Sequence, residues 1–489
     1  MNQAIRRTWV AVVALLAIIM GATTYVQFFA ADAINNNALN TSRKLDAANS
    51  SPRGSILVGG EAVAESVKNP EGSTYAYRRV YNDAKLYSGL TGYFSLDAGV
   101  TQLESSQSQT LMGSSDDQFF DRIANLFTGQ DDQGANIELT IDPKIQQAAY
   151  DALPDDFKGS VVVLNPKTGE ILAMVSKPSF DTNLLAVQST AKAAANRAEL
   201  SKNKNIRLYW NPAVQDRVSP GSTFKVLDLV AGFETGYFKL DGEYDNSEKW
   251  TPPGTTTPLG NFDGGSCSQQ PNKASLRFIV AQSCNTPFGQ AIQEIGQAKM
   301  KEVTERFGFN SKPDWLGLSP TAASVWPTDE MSPGNLASAS IGQYDVQTTV
   351  LQMAMVAAGI ANDGVLMKPQ LIKQVTGSDL KVLQDFKAEK YSTVTTPEIA
   401  NDVTELMRGP VKSGTAQRAA IPGLDIAAKT GTAQIGSGTG KVNAWITGFA
   451  PADDPEVAIA VNVEDITYNQ SHGLTSTIMK NVLKAVFNK

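Results

Sequence analysis

The longest apolar stretch of the chain lies at its N-terminus. Residues Thr8 to Ala31 carry no charged side chain over 24 positions, and a helix of about 20 apolar residues spans a bilayer. Arg6 and Arg7 precede this stretch, which predicts a cytoplasmic tail and an external remainder. A cleaved signal peptide is the alternative, with Ala31-Asp32-Ala33 as a small-x-small cleavage site. The length of the apolar stretch favours an uncleaved anchor.

After the anchor come a polar segment and then short apolar stretches separated by turns. The segment 32–51 is polar and predicts a linker or a loosely ordered entry strand. From Arg53 to Gly134 the pattern predicts a small non-enzymatic module of short strands and turns, in which the polar, acidic segment 105–134 is an excursion from the core. The short strands and turns are expected at 54–60, 77–81 and 89–95.

The second half of the pattern predicts a sheet and helices. A near-continuous apolar run at 159–164 predicts a strand, which forms a hairpin with 170–176 across a glycine-containing loop. Further strands are predicted at 426–434, 442–449 and 458–463. Helical spacing predicts helices at 143–153, 224–236, 288–295, 299–307, 346–362, 397–408 and 476–487. Strands at both ends with helices between them predict an α+β fold, with one antiparallel sheet packed by helices.

The domain organisation follows from these changes of pattern. We predict a cytoplasmic tail, a single transmembrane anchor, an N-terminal non-catalytic module of the dimerisation or pedestal kind, and a catalytic domain. Their expected ranges are 1–7, 8–31, 32–155 and 156–489.

Composition narrows the function. The net charge of −7 and the absence of a Lys/Arg tract argue against a nucleic-acid partner. The chain has one histidine, His472, so a catalytic metal site made of several histidines is excluded. A Ser-His-Asp triad is disfavoured, because only this histidine near the C-terminus could serve as its base. We expect no metal and no cofactor.

Both cysteines, Cys267 and Cys284, fall in the part expected outside the membrane. An oxidising compartment permits a disulfide, and the short polar loop between them makes closure plausible. A bridge and two separate thiols both remain open at this point.

A serine and a lysine form the first candidate for chemistry. Ser222 and Lys225 follow a Pro-Gly turn and are three residues apart, so a helix would place them on one face. Without a histidine nearby, a lysine that loses its proton is the natural base for a reactive serine. At a helix N-terminus, Ser222 would also have backbone N–H groups to stabilise an oxyanion. Any Ser-x-x-Lys also occurs by chance, and only the context raises this one.

Two further motifs follow it along the chain. Ser283-Cys284-Asn285 could shuttle a proton and hold an amide, or could simply cap a helix. Lys429-Thr430-Gly431-Thr432 lies on a predicted strand, where alternation places Lys429 and Gly431 on one face and the two threonines on the other. A second Lys-Ser-Gly-Thr begins at Lys412, just after a helix expected to end near Arg408. We favour Lys429, because a partner strand follows it.

These three motifs, in this order, resemble those of the penicillin-binding serine acyltransferases. The resemblance extends to Arg53-Gly54 after the anchor, to the hairpin 163–174 and to Gly342-Gln343, and covers almost everything from Arg53 onward. It is strongest to the short actinobacterial class B penicillin-binding proteins of cell division and shape. The usual Tyr-x-Pro-Gly before the nucleophile is replaced by 217–221, RVSPG, which should alter local packing only. No glycosyltransferase domain of the class A enzymes is expected after the anchor.

The resemblance implies a membrane-anchored peptidoglycan D,D-transpeptidase that β-lactams inhibit. Ser222 would attack the stem peptide and Lys225 would take its proton. Ser283, helped by Lys429, would protonate the leaving D-Ala. Asn285 would hold the substrate amide. Thr430 and Thr432, beside Gly431, would bind the terminal carboxylate, and the backbone N–H groups of Ser222 and Thr432 would stabilise the oxyanion.

Other functions remain compatible with the sequence. A D,D-carboxypeptidase or a β-lactam sensor would share the acylation step, and a non-enzymatic division or elongation scaffold would use the N-terminal module alone. The family also implies a polytopic glycosyltransferase partner of the shape, elongation, division and sporulation (SEDS) type. The sequence does not give the stem-peptide chemistry, the β-lactam affinities, the oligomeric state or a septal rather than lateral role.

Overall fold

The computed structural model describes residues 3–30, 51–118, 133–261, 266–436 and 438–488. Two units are distinguished, the described parts of Met1–Pro52 with Val67–Arg78, and Arg53–Ser66 with Arg79–Lys489. The expected linker 32–51 and the small-x-small site lie outside the described residues, apart from Ser51.

The first unit is dominated by one apolar helix. Helix α1 runs from Gln3 to Thr24 and continues as a π-helical turn, Tyr25–Phe29. Over Ile5–Phe29 it is 25 residues long with a mean hydropathy of 2.1, and its apolar side chains are exposed. By length and composition this helix can cross a membrane.

The other helices and the strands lie mostly in the second unit. The helices are α2 Ala84–Thr91, α3 Gln102–Ser106, α4 Ser108–Leu111, α5 Pro143–Ala152, α6 Thr190–Leu200, α7 Pro212–Gln215, α8 Lys225–Glu234, α9 Leu276–Gln282, α10 Thr286–Ile295, α11 Gln297–Arg306, α12 Pro333–Ser340, α13 Val350–Ala361, α14 Pro397–Ser413, α15 Tyr468–Ser471 and α16 Leu474–Val486. The strands are β1 Ile56–Val58, β2 Glu61–Lys68, β3 Tyr77–Tyr81, β4 Phe94–Ser95, β5 Gly99–Val100, β6 Asn136–Leu139, β7 Lys158–Leu164, β8 Ile171–Lys177, β9 Glu243–Asn246, β10 Lys249–Trp250, β11 Leu259–Gly260, β12 Asn272–Ser275, β13 Val365–Met367, β14 Ile372–Thr376, β15 Val382–Asp385, β16 Lys390–Thr393, β17 Ala427–Gln434, β18 Lys441–Ala450 and β19 Val457–Thr467.

The second unit contains a five-stranded antiparallel sheet. Its strand order is β17-β18-β19-β7-β8, so the expected hairpin pairs with strands from the end of the chain. Lys429 pairs with Thr447, and Val161 pairs with Val175. The predicted α+β fold is confirmed, and β17 lies at one edge of this sheet.

Helices cover both faces of the sheet, which explains the near-continuous apolar strands. Along β7, Val162 and Leu164 belong to a core with residues of α8 and α13, such as Leu227 and Met353. The alternate residues, such as Val161, pack in a second core with α5 and α16. Successive side chains of a strand point to opposite faces, so every position of β7 after Lys158 is buried.

A second, mixed sheet carries the N-terminal module. Its order is β15-β14-β6-β1-β2-β3, with β1 and β6 parallel and β6 and β14 antiparallel. The pairing of β6 with β14 is not visible in the sequence, because the two strands are separated by more than 230 residues. This sheet therefore joins segments that the sequence pattern assigns to different domains.

Three local expectations were wrong. The segment 89–95 was expected to contain strand and turn, but its first residues end helix α2, because Tyr87 and Leu90 bury one face of that helix. Part of the supposed polar excursion is core, since Leu111 is fully buried and Gln118 nearly so; 119–132 lie outside the described residues. Helix α14 does not end near Arg408 but continues through Pro410 to Ser413.

A buried ion cluster holds the start of the module. Glu104 accepts hydrogen bonds from Arg53 Nε at 3.0 Å and from Arg79 Nε at 2.5 Å, and all three side chains are almost wholly buried. Tyr81 also donates to Glu104, at 3.2 Å. Buried charges are tolerated when they are paired and hydrogen-bonded in this way.

Candidate active site

Ser222 lies on a tight turn in front of a buried helix. Residues Gly221–Phe224 form a 3₁₀ turn, and helix α8 begins at Lys225. The sequence predicted a helix beginning at Phe224, so the difference is a tighter first turn. Gly221 has a φ of +53°, a conformation that glycine adopts without a steric penalty. The turn is anchored by Trp445, whose Nε1 donates to the carbonyl of Ser219 at 3.0 Å.

Strand β17 lies directly against this turn. A Cβ on Gly431 would lie 2.6 Å from the carbonyl oxygen of Pro220 and 3.0 Å from the nitrogen of Thr223. A Cβ on Gly221 would in turn lie 2.8 Å from the carbonyl carbon of Thr432. Only glycine permits this approach of two backbones. The approach brings Thr432, the residue after Gly431, close to the turn that carries Ser222.

Lys225 is fully buried behind the turn and bonds to the second motif. Its Nζ lies 2.8 and 2.9 Å from the carbonyl oxygens of Ser283 and Cys284 and 2.7 Å from Asn285 Oδ1. The charged lysine can donate to all three acceptors, and the neutral amine to two of them. Burial and the nearby Lys429 lower the pKa of Lys225 well below its ordinary value. The environment therefore favours a lysine that can lose its proton.

Asp228 lies one helical turn after Lys225. Both its carboxyl oxygens are buried with no hydrogen-bond partner among the described residues. Burial raises the pKa of Asp228 well above its ordinary value, although Lys225 opposes this shift. Asp228 opposes the lowering of the Lys225 pKa, but its effect is smaller than those of burial and of Lys429.

The second motif is held in a strained, well-supported loop. Ser283 ends helix α9 with a φ of +62°, in the left-handed region, which is uncommon for a residue with a side chain. Asn261 supports the loop, because its Oδ1 accepts from the backbone nitrogens of Asn285 at 2.6 Å and Thr286 at 3.1 Å. A disulfide joins Cys284 to Cys267, with the two Cα atoms 5.7 Å apart.

Lys429 connects the third motif to the second. It is fully buried, and its Nζ donates to Ser283 Oγ at 2.6 Å and to the carbonyl of Thr430 at 3.0 Å. Burial lowers the pKa of Lys429 to about 7. Thr430 and Thr432 lie on the other face of β17 and are partly exposed, whereas Gly431 is buried with Lys429. This is the alternation expected from the sequence.

The second Lys-Ser-Gly-Thr has a different place. Lys412 is exposed on the last turn of α14, and not after that helix as expected. Thr415, however, lies beside the third motif, since its Oγ1 is 2.5 Å from Thr430 Oγ1. Neither Thr415 nor Asn261 was identified from the sequence. For Thr415 the signal was the repeated motif itself; Asn261 lies in a polar loop and has no distinguishing pattern.

These residues form one cluster suited to acyl transfer. A half-exposed serine lies on a turn, two buried lysines of lowered pKa lie near a second serine, and an edge strand with half-exposed hydroxyls runs alongside. A serine nucleophile needs a neighbouring base and donors for an oxyanion. His472 is exposed and packs edge-on against Tyr468, with ring centroids 4.4 Å apart.

Comparison with known proteins points to the same chemistry. A penicillin-binding protein transpeptidase domain matches residues 159–484, and a penicillin-binding protein A dimerisation domain matches residues 53–137. The chain is 38% identical, over 471 residues, to the peptidoglycan D,D-transpeptidase PbpA of Mycolicibacterium smegmatis, which covers 95% of this chain and 94% of that protein. Over 472 residues it is 37% identical to the PbpA of Mycobacterium tuberculosis, with the same coverage of both.

Solved structures of the latter protein have a similar fold. The imipenem acyl-enzyme of M. tuberculosis penicillin-binding protein A has a TM-score of 0.83 and 37% identity, covering 91% of this chain and 100% of that one. The penicillin G acyl-enzyme has a TM-score of 0.82 and 35% identity, covering 90% and 100%.

Proposed function

This chain belongs to the penicillin-binding protein transpeptidase family as a class B member, and we propose that Ser222 is the nucleophile of its peptidoglycan D,D-transpeptidase reaction. The observation that carries the assignment is the convergence of three distant motifs. Lys225 bonds to Asn285 and to the carbonyl of Ser283, and Lys429 bonds to the hydroxyl of Ser283. The turn that carries Ser222 packs against β17 at Gly431 and Thr432.

In the acylation step, Ser222 Oγ attacks the carbonyl carbon of the penultimate D-Ala. Neutral Lys225 accepts the proton of Ser222, since burial disfavours its charge in the resting enzyme. The backbone N–H groups of Ser222 and Thr432 stabilise the oxyanion, and one such donor contributes roughly 3–4 kcal/mol. Collapse of this intermediate breaks the peptide bond, and Ser283 donates its proton to the departing amine while Lys429 supplies a proton to Ser283.

The second half-reaction returns the enzyme to its starting state. An amine from a neighbouring stem peptide attacks the ester carbonyl and loses a proton through Ser283 to Lys429. The cross-link forms as the ester bond breaks and Lys225 returns its proton to the departing Ser222 oxygen. Asn285 holds the substrate amide, and Thr430 and Thr432 hold the terminal carboxylate near Gly431. A β-lactam acylates Ser222 by the same attack on its ring carbonyl.

The membrane arrangement is a further part of the proposal. Helix α1 anchors the chain as a single-pass protein of the cell membrane, with 1–7 in the cytoplasm and the catalytic domain outside. The two arginines before the apolar stretch Thr8 to Ala31 support this orientation. We assign the module to 32–155 and the catalytic domain to 156–489, and we expect a SEDS-type polytopic glycosyltransferase to contact the anchor or the module.

The decisive experiment follows acylation of the purified external part and of its Ser222→Ala variant. Each is incubated with a fluorescent penicillin, and the adduct is measured by intact mass over time. A stable one-to-one adduct that is absent from the variant supports the proposal. A well-folded wild type that forms no adduct would contradict it and favour a scaffold. If the enzyme is given a donor and an acceptor stem peptide and releases D-Ala without a cross-linked product, it would instead be a carboxypeptidase.

A further inference from the structure

A short segment connects the second and third motifs of the active site. This bridging segment, Ser413 to Thr415, follows helix α14 and packs on the end of helix α9. The nitrogen of Thr415 donates to the carbonyl of Ala281 at 3.1 Å, and Gln282 Nε2 donates to the carbonyl of Ser413 at 3.0 Å. A Cβ on Gly414 would lie 1.9 Å from Ala281 O. The backbone of the segment is therefore held close to Ser283.

The side chain of Thr415 points the other way, to strand β17. Its hydroxyl oxygen lies 2.5 Å from that of Thr430. Thr415 is exposed and Thr430 is half-exposed, so burial does not force the two hydroxyls together. Two hydroxyls in a mutual hydrogen bond use one of their two protons, and the other proton remains available to a ligand.

We propose that Thr415 is a positioning residue that directs the hydroxyl of Thr430 toward the carboxylate of the ligand. A threonine hydroxyl hydrogen otherwise rotates to suit its surroundings. When Thr415 donates to Thr430 Oγ1, the proton of Thr430 points away from Thr415 and toward the open side of β17. A hydrogen bond from this proton to a carboxylate is charge-assisted and stronger than a neutral one.

This inference rests on the proposed function, because it assumes that Thr430 receives the carboxylate. It goes beyond that function in assigning a role to the second Lys-Ser-Gly-Thr. The bridging segment supplies the hydroxyl, and its contacts with Ala281 and Gln282 use backbone atoms on its own side. A change of the Thr415 side chain therefore leaves those contacts in place.

The test compares two ligands and three variants. Thr415→Val removes the hydroxyl with little change of shape, Thr415→Ser retains it, and Ser413→Ala removes a neighbouring exposed hydroxyl as the matched control. Second-order acylation constants are measured with a penicillin and with its neutral methyl ester.

Thr415→Val should lower the constant for the penicillin roughly tenfold, the scale of one hydrogen bond to a charged group, and should leave that for the ester within about twofold. Thr415→Ser and Ser413→Ala should resemble the wild type with both ligands. An equal loss with penicillin and ester would show a merely structural role, and no loss with either would show an idle hydroxyl. Both results would overturn the proposal.

A second measurement separates this inference from the proposed reaction. In the Ser222→Ala background, where no ester can form, equilibrium binding of the penicillin and of its ester is compared by NMR titration. Preference for the acid that disappears with Thr415→Val supports the role of Thr415 even if wild type forms no acyl-enzyme. If the wild type is acylated at Ser222 but Thr415→Val keeps the preference for the acid, the role of Thr415 is contradicted and the proposed reaction is not.

Discussion

The Nζ of Lys429 donates a 2.6 Å hydrogen bond to Ser283 Oγ, across 146 residues of sequence. Both groups lie within one cluster because β17 packs against helix α14, which in turn packs against α9, the helix that ends at Ser283. The lysine is fully buried, so removing either partner leaves the other without this hydrogen bond. The pair should act as one unit in proton transfer.

The first prediction concerns this pair. Lys429→Met and Ser283→Ala should each lower the second-order acylation constant by roughly a hundredfold, within the range for a positioned proton donor. The double variant should lose little more than the worse single variant, because groups that act together are not additive. Stopped-flow acylation of all four proteins measures this cycle. Losses that multiply would mean that the two side chains act independently.

The second prediction concerns pH. Burial lowers the pKa of Lys429 to about 7. If the ammonium form attracts the carboxylate, the second-order acylation constant should fall as pH rises through about 7. A bound carboxylate stabilises the ammonium and raises its pKa. The first-order acylation rate at saturating penicillin should therefore begin to fall at a higher pH. The neutral methyl ester should show no such movement. A constant that still rises between pH 7 and 8 would contradict a charged Lys429.

The third prediction tests the support of the second motif. Asn261→Ala removes the acceptor for the backbone nitrogens of Asn285 and Thr286. We expect unfolding free energy to fall by about 1–2 kcal/mol, as for loss of a helix cap. Acylation should slow as well, because Asn285 loses its fixed position.

Asn261→Asp is the second variant. It keeps the accepting oxygen near a helix N-terminus, where negative charge is favourable, but loses the hydrogen bonds that Asn261 Nδ2 donates to Asn246 Oδ1 and to the carbonyl of Ser247 at 3.3 Å. Denaturant unfolding and acylation constants are compared for both variants. Equal effects of Ala and Asp would show that the accepted hydrogen bonds are not what matters.

The fourth prediction concerns the disulfide. Cys267 and Cys284 are 17 residues apart, and closing a loop of that size contributes about 3 kcal/mol in the chain-entropy description. Reduction, or replacement of both cysteines by alanine, should lower the unfolding free energy by this order. Acylation should change only modestly, since Asn261 and helix α9 still hold the loop.

Thiol counting by mass spectrometry on non-reduced protein accompanies the unfolding curves. Two free thiols in folded, non-reduced protein would rule out the bridge. A bridged protein whose acylation is abolished by mild reductant would show that the disulfide, and not Asn261, positions the motif.

The fifth prediction concerns the buried cluster of the module. Burial alone would raise the pKa of Glu104, but Arg79 and Arg53 lower it overall. The folded state thus binds fewer protons, so this stabilisation is complete above the unfolded-state pKa of Glu104 and is lost as pH falls through the folded-state pKa. Glu104→Gln should lower the unfolding free energy at pH 7 by roughly 3–5 kcal/mol, because two buried guanidinium groups lose their counter-charge.

Exposed Glu61 gives the surface control for this change, as Glu61→Gln. Chemical unfolding between pH 3 and 7 should show a weaker pH dependence for Glu104→Gln than for both wild type and the control. Identical pH profiles for the three proteins would contradict the assignment.

The sequence by itself determined the class of fold, the family and the short-range features of the site. Ser222 with Lys225, Ser283 with Asn285, and Lys429 with Gly431 are each separated by two or three residues, so helical or strand periodicity relates them directly. The apolar run of β7, with the strands predicted at the end of the chain, likewise predicted one sheet, because strands buried on both faces need apolar residues at almost every position.

Only the tertiary structure decided what those local features contact. The pairing of β6 with β14, the support of Asn285 by Asn261 and the approach of Thr415 to Thr430 each join residues that no local periodicity relates. Helix α14 also continues past Pro410, where the sequence pattern predicted an end, because its buried side packs against α9 and α8. Contacts between distant segments depend on how whole elements pack, and packing against neighbours overrides the local preferences that a sequence displays.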